Sequence, residues 1–199
     1  MTTKSTSKSP AMKSGLSRSV RLRTDRLVLR PTTPADASRA FEIQSDWDVT
    51  RMLRMAQFPP DLDDMTGWFS EHPREWLAGT AFRFAVERAG RMIGLVDLDE
   101  IDGDEGELGY WLEKPSWGQG YAFEAAEAVV DFAFCQVRLS TLRTGHAADN
   151  LASGKVLLKL DFRPQLSMRK DSRSRGEEIL HQSYSLTSEA WCSRPDADR

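Results

Sequence analysis

Two short stretches of this 199-residue chain hold the residue types that chemistry needs. The first is Trp117-Gly118-Gln119-Gly120-Tyr121-Ala122, set between the alternating run Leu108–Leu112 and the helix-patterned run Tyr121–Phe134. Glycines at a strand-to-helix junction let the backbone turn tightly and aim several N–H groups at one spot. A helix N-terminus adds its partial positive charge. The product is an anion site that suits a pyrophosphate. It is neither a dinucleotide fingerprint, whose full glycine spacing is absent, nor a Walker loop, since no Gly-Lys-Ser/Thr follows. Taken alone it also reads as an ordinary turn. The second stretch is the acidic run Asp97, Asp99, Glu100, Asp102, Asp104, Glu105 and Glu107, which contains no Lys or Arg. It reads either as a field that steers a cationic substrate or as the solvated face of a tight turn. His146, placed just after a strand, is a candidate base or a solvated loop residue. Cys135, behind an apolar run, is expected to be buried and inert.

The rest of the composition narrows the chemistry. Three histidines and two cysteines make neither a disulfide framework nor a metal-ligand supply, so a reducing cytoplasm and no metal are expected. The net charge of -3 argues against general nucleic-acid binding. Charges interrupt the apolar runs before any reaches membrane-spanning length.

Residues 1–21 are read as a disordered basic tail with too little apolar surface to order itself, and 22–199 as a single domain beginning at Leu22. Arg26–Arg30 alternates like a strand. Thr33 and Pro34 open a helix to about Ser45. Met52, Leu53, Met55 and Phe58 are expected to form a short packed segment closed by Pro59-Pro60, before a helix from Asp61 to about His72. The period then changes to two: Phe82–Glu87, Ile93–Leu98 and Leu108–Leu112 predict an antiparallel meander. Tyr121–Phe134 is the strongest helix, with Ala122, Ala126, Val129, Val130 and Ala133 as its apolar stripe. A strand over Leu139–Thr144, a helix over Ser153–Leu160, and two strands flanking the polar stretch Arg169–Glu178 complete an α+β chain.

With these elements in order, the sequence resembles the GCN5-related N-acetyltransferase superfamily (GNAT), in the branch of the ribosomal-protein alanine N-acetyltransferases. Trp117-Gly118-Gln119-Gly120-Tyr121-Ala122 with Glu124-Ala125 matches the branch's pattern at its CoA loop, and Asn150 with Ser153 matches its Asn-x-x-Ser. Thr24–Arg30, Glu107–Leu112 and Tyr184–Thr187 with Trp191 have the expected forms, so the resemblance spans roughly Leu22 to Trp191. It implies a mixed, mostly antiparallel central sheet with a splayed strand pair and helices on both faces. It also implies direct transfer from acetyl-CoA to an amine in a ternary complex.

The resemblance assigns three tasks. Backbone N–H groups of Trp117, Gly118, Gln119, Gly120, Tyr121 and Ala122 are expected to hold the pyrophosphate. The backbone of Tyr110, Trp111 and Leu112 is expected to pair with the pantetheine arm and polarise the thioester carbonyl. Glu107 is the candidate to take the amine's proton, directly or through a water. Tyr110, further along the same strand and expected to share its face, is a candidate to position the amine or bond a thiolate. Asn150 is expected to bond the pantetheine, and Ser153 to cap its helix or help hold the CoA phosphates. Trp68, Trp76 and Trp111 read either as lining an acceptor cleft or as core, and His72–Trp76 lies where the family varies its substrate-binding helices.

Two departures stand out. Leu157 occupies the position where many superfamily members carry a thiolate-protonating tyrosine. Asp161 stands where a glycine is usual, so the left-handed conformation there must be reached by an aspartate. The leading acceptor by resemblance is a protein or peptide α-amine. A polyamine, amino acid or aminoglycoside, or a CoA-binding module without transfer, are the alternatives, in a monomer or homodimer.

Overall fold

The computed structural model describes residues 16–194; the remainder of the expected tail lies outside the described residues. The strands in chain order are β1 Leu22–Arg23, β2 Val28–Pro31, β3 Phe82–Arg88, β4 Arg91–Asp102, β5 Glu105–Leu112, β6 Thr141–Ala147, β7 Arg163–Pro164, β8 Met168–Ser172 and β9 Glu177–Thr187. The helices are α1 Ala37–Gln44, α2 Trp47–Thr50, α3 Leu62–Ala78, α4 Tyr121–Phe132, α5 Leu151–Lys159 and α6 Ser188–Cys192.

All nine strands join one sheet, ordered β1-β2-β3-β4-β5-β6-β9-β7, with β8 also paired to β9. Each pairing is antiparallel except β5–β6. The alternation read over β3, β4 and β5 has its physical counterpart in two cores. Phe82, Phe84, Val96, Leu98 and Leu108 pack with the Ala125, Val129 and Phe132 face of α4. Ala85, Leu95 and Met92 pack with Ala40 of α1 and with Met65 and Phe69 of α3. The sheet therefore carries helices on both faces. Among the described residues no helix is long and apolar enough to cross a membrane.

Several local expectations change. Order does not begin at Leu22: Leu16 and Val20 pack on the larger core, and Trp76 Nε1 donates to the Leu16 carbonyl at 2.9 Å. Helix α3 does not stop near His72 but runs through Pro73 to Ala78, where Gly79 caps it at φ +71°. Burial of His72 and Trp76 on either side of the proline outweighs its missing N–H. The expected packed segment at 52–58 is a loop with Met55 and Phe58 exposed. The polar stretch 169–178 itself supplies most of β8 and leaves only a turn before β9. Helix α4 ends in one wider turn over Ala133–Val137 that turns Cys135 to solvent, so the expectation of a buried thiol is corrected. Asp161 does adopt φ +63°.

Candidate active site

Strands β5 and β6 pair only where Glu105–Glu107 meet Thr141–Arg143. Beyond that point β5 follows β4 to Leu112, while β6 follows β9 to Ala147, and the sheet opens into a V. Thr144 Oγ1 donates to the Leu108 carbonyl at 2.8 Å and closes the vertex. Peptide groups along a strand point to alternate sides, so those of Leu108, Tyr110 and Leu112 face the gap. Trp117 Nε1 takes the Leu112 carbonyl at 2.9 Å. The peptide groups of Tyr110 and the N–H of Leu112 thus form a ladder edge that an extended chain can pair with.

The glycine loop follows. Glu113 anchors its start by accepting from Arg39, from Arg91 Nη1 at 2.8 Å and from Ser116 Oγ at 3.2 Å. Gly118 and Gly120 have φ of +71° and +81°, conformations that need glycine. A Cβ at Gly118 would meet nothing within 4 Å, and one at Gly120 would lie 3.3 Å from the Arg26 guanidinium. Arg26 donates to the Gln119 carbonyl at 2.9 Å and pairs with Glu124 at 2.6 Å, which fixes the loop to the start of α4. Glu124 N bonds to the Gly120 carbonyl at 3.1 Å. The N–H groups of Gly120, Tyr121, Ala122 and Phe123 precede that bond and have no partner within the helix. Beside them is a cavity of about 510 Å³, lined by Trp111, Leu112, Gly118, Ala122, Asn150 and Val156. An open cradle of N–H groups with a guanidinium near it, leading into an apolar slot along a free strand edge, fits the pyrophosphate and pantetheine of a CoA thioester.

The cap of α5, expected of Ser153, is supplied by Asn150. Asn150 Oδ1 accepts from Ser153 N at 3.2 Å, so Asn150 caps α5, which begins at Leu151. Ser153 Oγ lies 2.7 Å from the Tyr110 hydroxyl, which also donates to the Ser153 carbonyl at 3.2 Å. Burial pushes the Tyr110 phenol well above its ordinary pKa, although the Ser153 bond opposes this. Tyr110 does not share a face with Glu107, because three positions along a strand reverse the side. Tyr110 packs toward the α4 core, and Glu107 lies on the sheet face that bears α1 and α3. Leu157 is fully buried.

On that second face a cavity of about 800 Å³ is lined by Glu107, Asp97, Asp99, Trp68, Thr144 and His181, among others. It shares Tyr110, Trp111, Asn150 and Ser153 with the smaller cavity, so the two meet through the V. The acidic run is not simply a solvated turn. Asp97 is only 7% exposed, and Arg83 Nη1 reaches Asp97 at 3.1 Å and Asp99 at 3.5 Å. Arg83 also pairs with Glu75 at 3.3 Å and lies over Trp68. Burial, then Asp99, raises the Asp97 pKa against the pull of Arg83. Glu107 stands opposite Asp99 in register. Burial, then Glu100 and Asp99, raises its pKa. Among the described residues no side chain bonds to its carboxylate.

His146 is not a loop residue but lies within β6, buried. Its Nδ1 is 2.8 Å from the Ala147 carbonyl, and its Nε2 is 3.3 Å from the Tyr184 hydroxyl. A carbonyl only accepts, so Nδ1 carries the hydrogen. Trp76 belongs to the core, whereas Trp68 and Trp111 line the large cavity. Arg173, in the turn between β8 and β9, also lines that cavity, and the turn is tied to neighbouring loops. Arg175 bonds Asp149 at 2.9 Å and the Arg51 carbonyl at 2.8 Å, and Arg173 N bonds the Arg54 carbonyl at 2.8 Å. Sequence reasoning missed Arg83 and His181. Its available signals were Gly109 and Gly145, since glycine inside a strand marks a close approach. A Cβ at 109 would lie 2.5 Å from Asp97 Oδ1, and one at 145 would lie 2.2 Å from His181 Cε1.

Residues 26–163 match the family model described as an acetyltransferase (GNAT) domain. The chain is 29% identical over 169 residues to an uncharacterized N-acetyltransferase, p20, of Bacillus licheniformis, covering 83% of this chain and 94% of that protein. It is 26% identical to the uncharacterized N-acetyltransferase YoaA of Bacillus subtilis (strain 168), covering 83% and 95%. Among solved structures, a RimL ribosomal L7/L12 alpha-N-protein acetyltransferase in complex with coenzyme A superposes with a TM-score of 0.78 at 16% identity, over 86% of this chain and 99% of that one. A ribosomal-protein-S5-alanine acetyltransferase from Vibrio fischeri superposes with a TM-score of 0.77 at 19% identity, over 88% and 100%. The matched domain takes in the glycine loop, the splayed strands and the Asn150 cap, and the chain belongs to the GNAT family as an acyl-CoA-dependent N-acetyltransferase.

Proposed function

We propose that this enzyme transfers an acetyl group from acetyl-CoA directly to the α-amine of a protein or peptide, with the two substrates entering the V from opposite faces of the sheet. The observation that carries this reading is the meeting of two unlike cavities at one ladder edge. One is apolar and ends at a cradle of N–H groups; the other is acidic and contains an unpaired carboxylate.

Bound along β5, acetyl-CoA supplies an activated thioester. The N–H groups at the start of α4, up to Ala122 and Phe123, hold its pyrophosphate, while that of Trp117 is taken by the Lys114 carbonyl at 3.1 Å. The peptide groups of Tyr110 and the N–H of Leu112 align the pantetheine, and a strand N–H at the V polarises the thioester carbonyl. Trp111 and Asn150 line the slot. In the acidic cavity, Asp97 and Asp99 attract the acceptor's ammonium, and Glu107 takes its proton so that the nitrogen lone pair is free to attack. An α-amine, near pKa 8, gives up that proton more readily than a lysine side chain near 10.4. With Leu157 buried and Tyr110 bonded to Ser153, the departing thiolate collects its proton from the Tyr110 hydroxyl relay or from solvent.

A small cationic amine is the second reading, favoured by the β8–β9 turn, which is bonded to the loop before α3 beside the cavity. Calorimetric titration of acetyl-CoA into the wild type and Gly120→Pro tests the cofactor half. Proline requires φ near -65°, against +81° here. Micromolar binding lost in the variant is expected, and equal binding by both would remove the loop from the site. A panel of N-terminal peptides against polyamines and amino acids, read by thiol release, separates the acceptors.

A further inference from the structure

His181 is a residue that neither motif matching nor the expected chemistry uses, and its surroundings are specific. It lies on β9, paired with Ala147 of β6, and is only 6% exposed. Its ring does not stand away from the sheet but lies across β6 at Gly145. A Cβ there would sit 2.2 Å from Cε1 and 2.9 Å from Nε2. Gly145 and Arg143 alternate along one face of β6, and Arg143 is the register partner of Glu107. Glycine at 145 therefore lets the imidazole extend over β6 on the face that carries Glu107. Both side chains line the same cavity.

The ring has no hydrogen-bond partner among the described residues, and Nδ1 is buried without one. This is costly for a buried polar atom and unlike the other buried imidazole of the sheet, His146, whose two nitrogens are both engaged. The charged groups that act on His181 are Lys170 of β8 and Arg54 of the loop before α3, with His146, on the opposite face of β6, adding the least. With burial as the largest cause, they push its pKa down to about 4. Near neutral pH the ring is thus uncharged and keeps one lone pair as an acceptor. An uncharged acceptor beside the Glu107 carboxylate can bond an amine N–H without adding charge to the cavity.

We propose that His181 is a catalytic residue that contacts the acceptor, its neutral imidazole accepting a hydrogen bond from the amine N–H while Glu107 takes the proton from the other side. The assignment rests on the reading of the acidic cavity as the amine site. It places the nitrogen between β5 and β9, with its lone pair turned toward the ladder edge at Tyr110. It also explains why β6 carries a glycine at 145.

The test uses the whole chain saturated with CoA and titrated with L-alaninamide, following the imidazole ¹⁵N signals by NMR and affinity by calorimetry. Three histidines give three ring systems, and His181 is assigned by its loss in His181→Gln. The expected result is a His181 ring shift on saturation with His72 unmoved. His181→Phe should weaken alaninamide about tenfold, His181→Gln should retain affinity within about threefold, and CoA affinity should be unchanged in both, as loss of one hydrogen bond predicts. If Glu107→Gln weakens alaninamide while His181→Phe does not and the His181 signal stays fixed, the cavity reading stands and the role of His181 is overturned. If alaninamide fails to bind the wild type, or binds without regard to Glu107, the cavity reading falls and His181 with it.

Discussion

Replacing Glu107 by glutamine should lower activity while leaving the fold as stable as before or more so, and this opposite pair of effects is the sharpest consequence of the site. The substitution keeps the shape and removes both a proton acceptor and one negative charge. No hydrogen bond or ion pair is lost, because the carboxylate has no partner among the described residues. Its folded-state pKa is raised by burial first and then by Glu100 and Asp99. Folding therefore favours the protonated acid. The stability this gives is fully present below the unfolded pKa and is lost as pH rises through the folded one. At pH 8 the ionised side chain is a burden that glutamine does not carry. General-base catalysis contributes about 10²–10⁴ in rate, equivalent to about 2.7–5.5 kcal/mol. We expect kcat/KM for the amine to fall by about that factor at pH 8, with acetyl-CoA affinity unchanged and Tm no lower than wild type. Thiol-release kinetics over pH 6–9 and thermal unfolding measure both. A variant within threefold of wild type across that range would remove Glu107 as the base. A large fall in Tm would make it a structural residue.

Glu100→Gln removes the leading charge that opposes ionisation of Glu107, so the acid limb of the kcat/KM profile should move to lower pH; an unmoved limb would mean that another group sets it. Arg83→Met leaves Glu75, Asp97 and Asp99 without their shared cation and should cost about 3–5 kcal/mol at pH 8. Because the Asp97 and Asp99 carboxyls already lie above their ordinary pKa, that variant should recover stability as pH falls and they become neutral. A Tm deficit independent of pH between 5 and 8 would contradict this.

What could be read from the sequence was what neighbouring residues decide among themselves. Glycines 118 and 120 before an amphipathic helix and the period-two meander follow from local backbone sterics and side-chain alternation, the left-handed Asp161 from the glycine usual in the family at that place, and each has its counterpart in the structure. The family pattern at Trp117–Ala122 and Asn150 rests on the same local spacing. Pairing between distant segments was not readable. Residues 83 and 97 become an ion pair because β3 and β4 are adjacent in the sheet, and this turns part of an apparently solvated acidic run into a buried charge cluster. His181 reaches the cavity of Glu107 only because β9 folds back beside β6 and Gly145 leaves the space between them. Helix α3 runs through Pro73, and the chain before Leu22 docks onto Trp76, because burial available only in the assembled fold exceeds local preference. Local rules fix which groups the backbone presents. The sheet order fixes which of them meet, since burial and charge are properties of the neighbours that folding supplies.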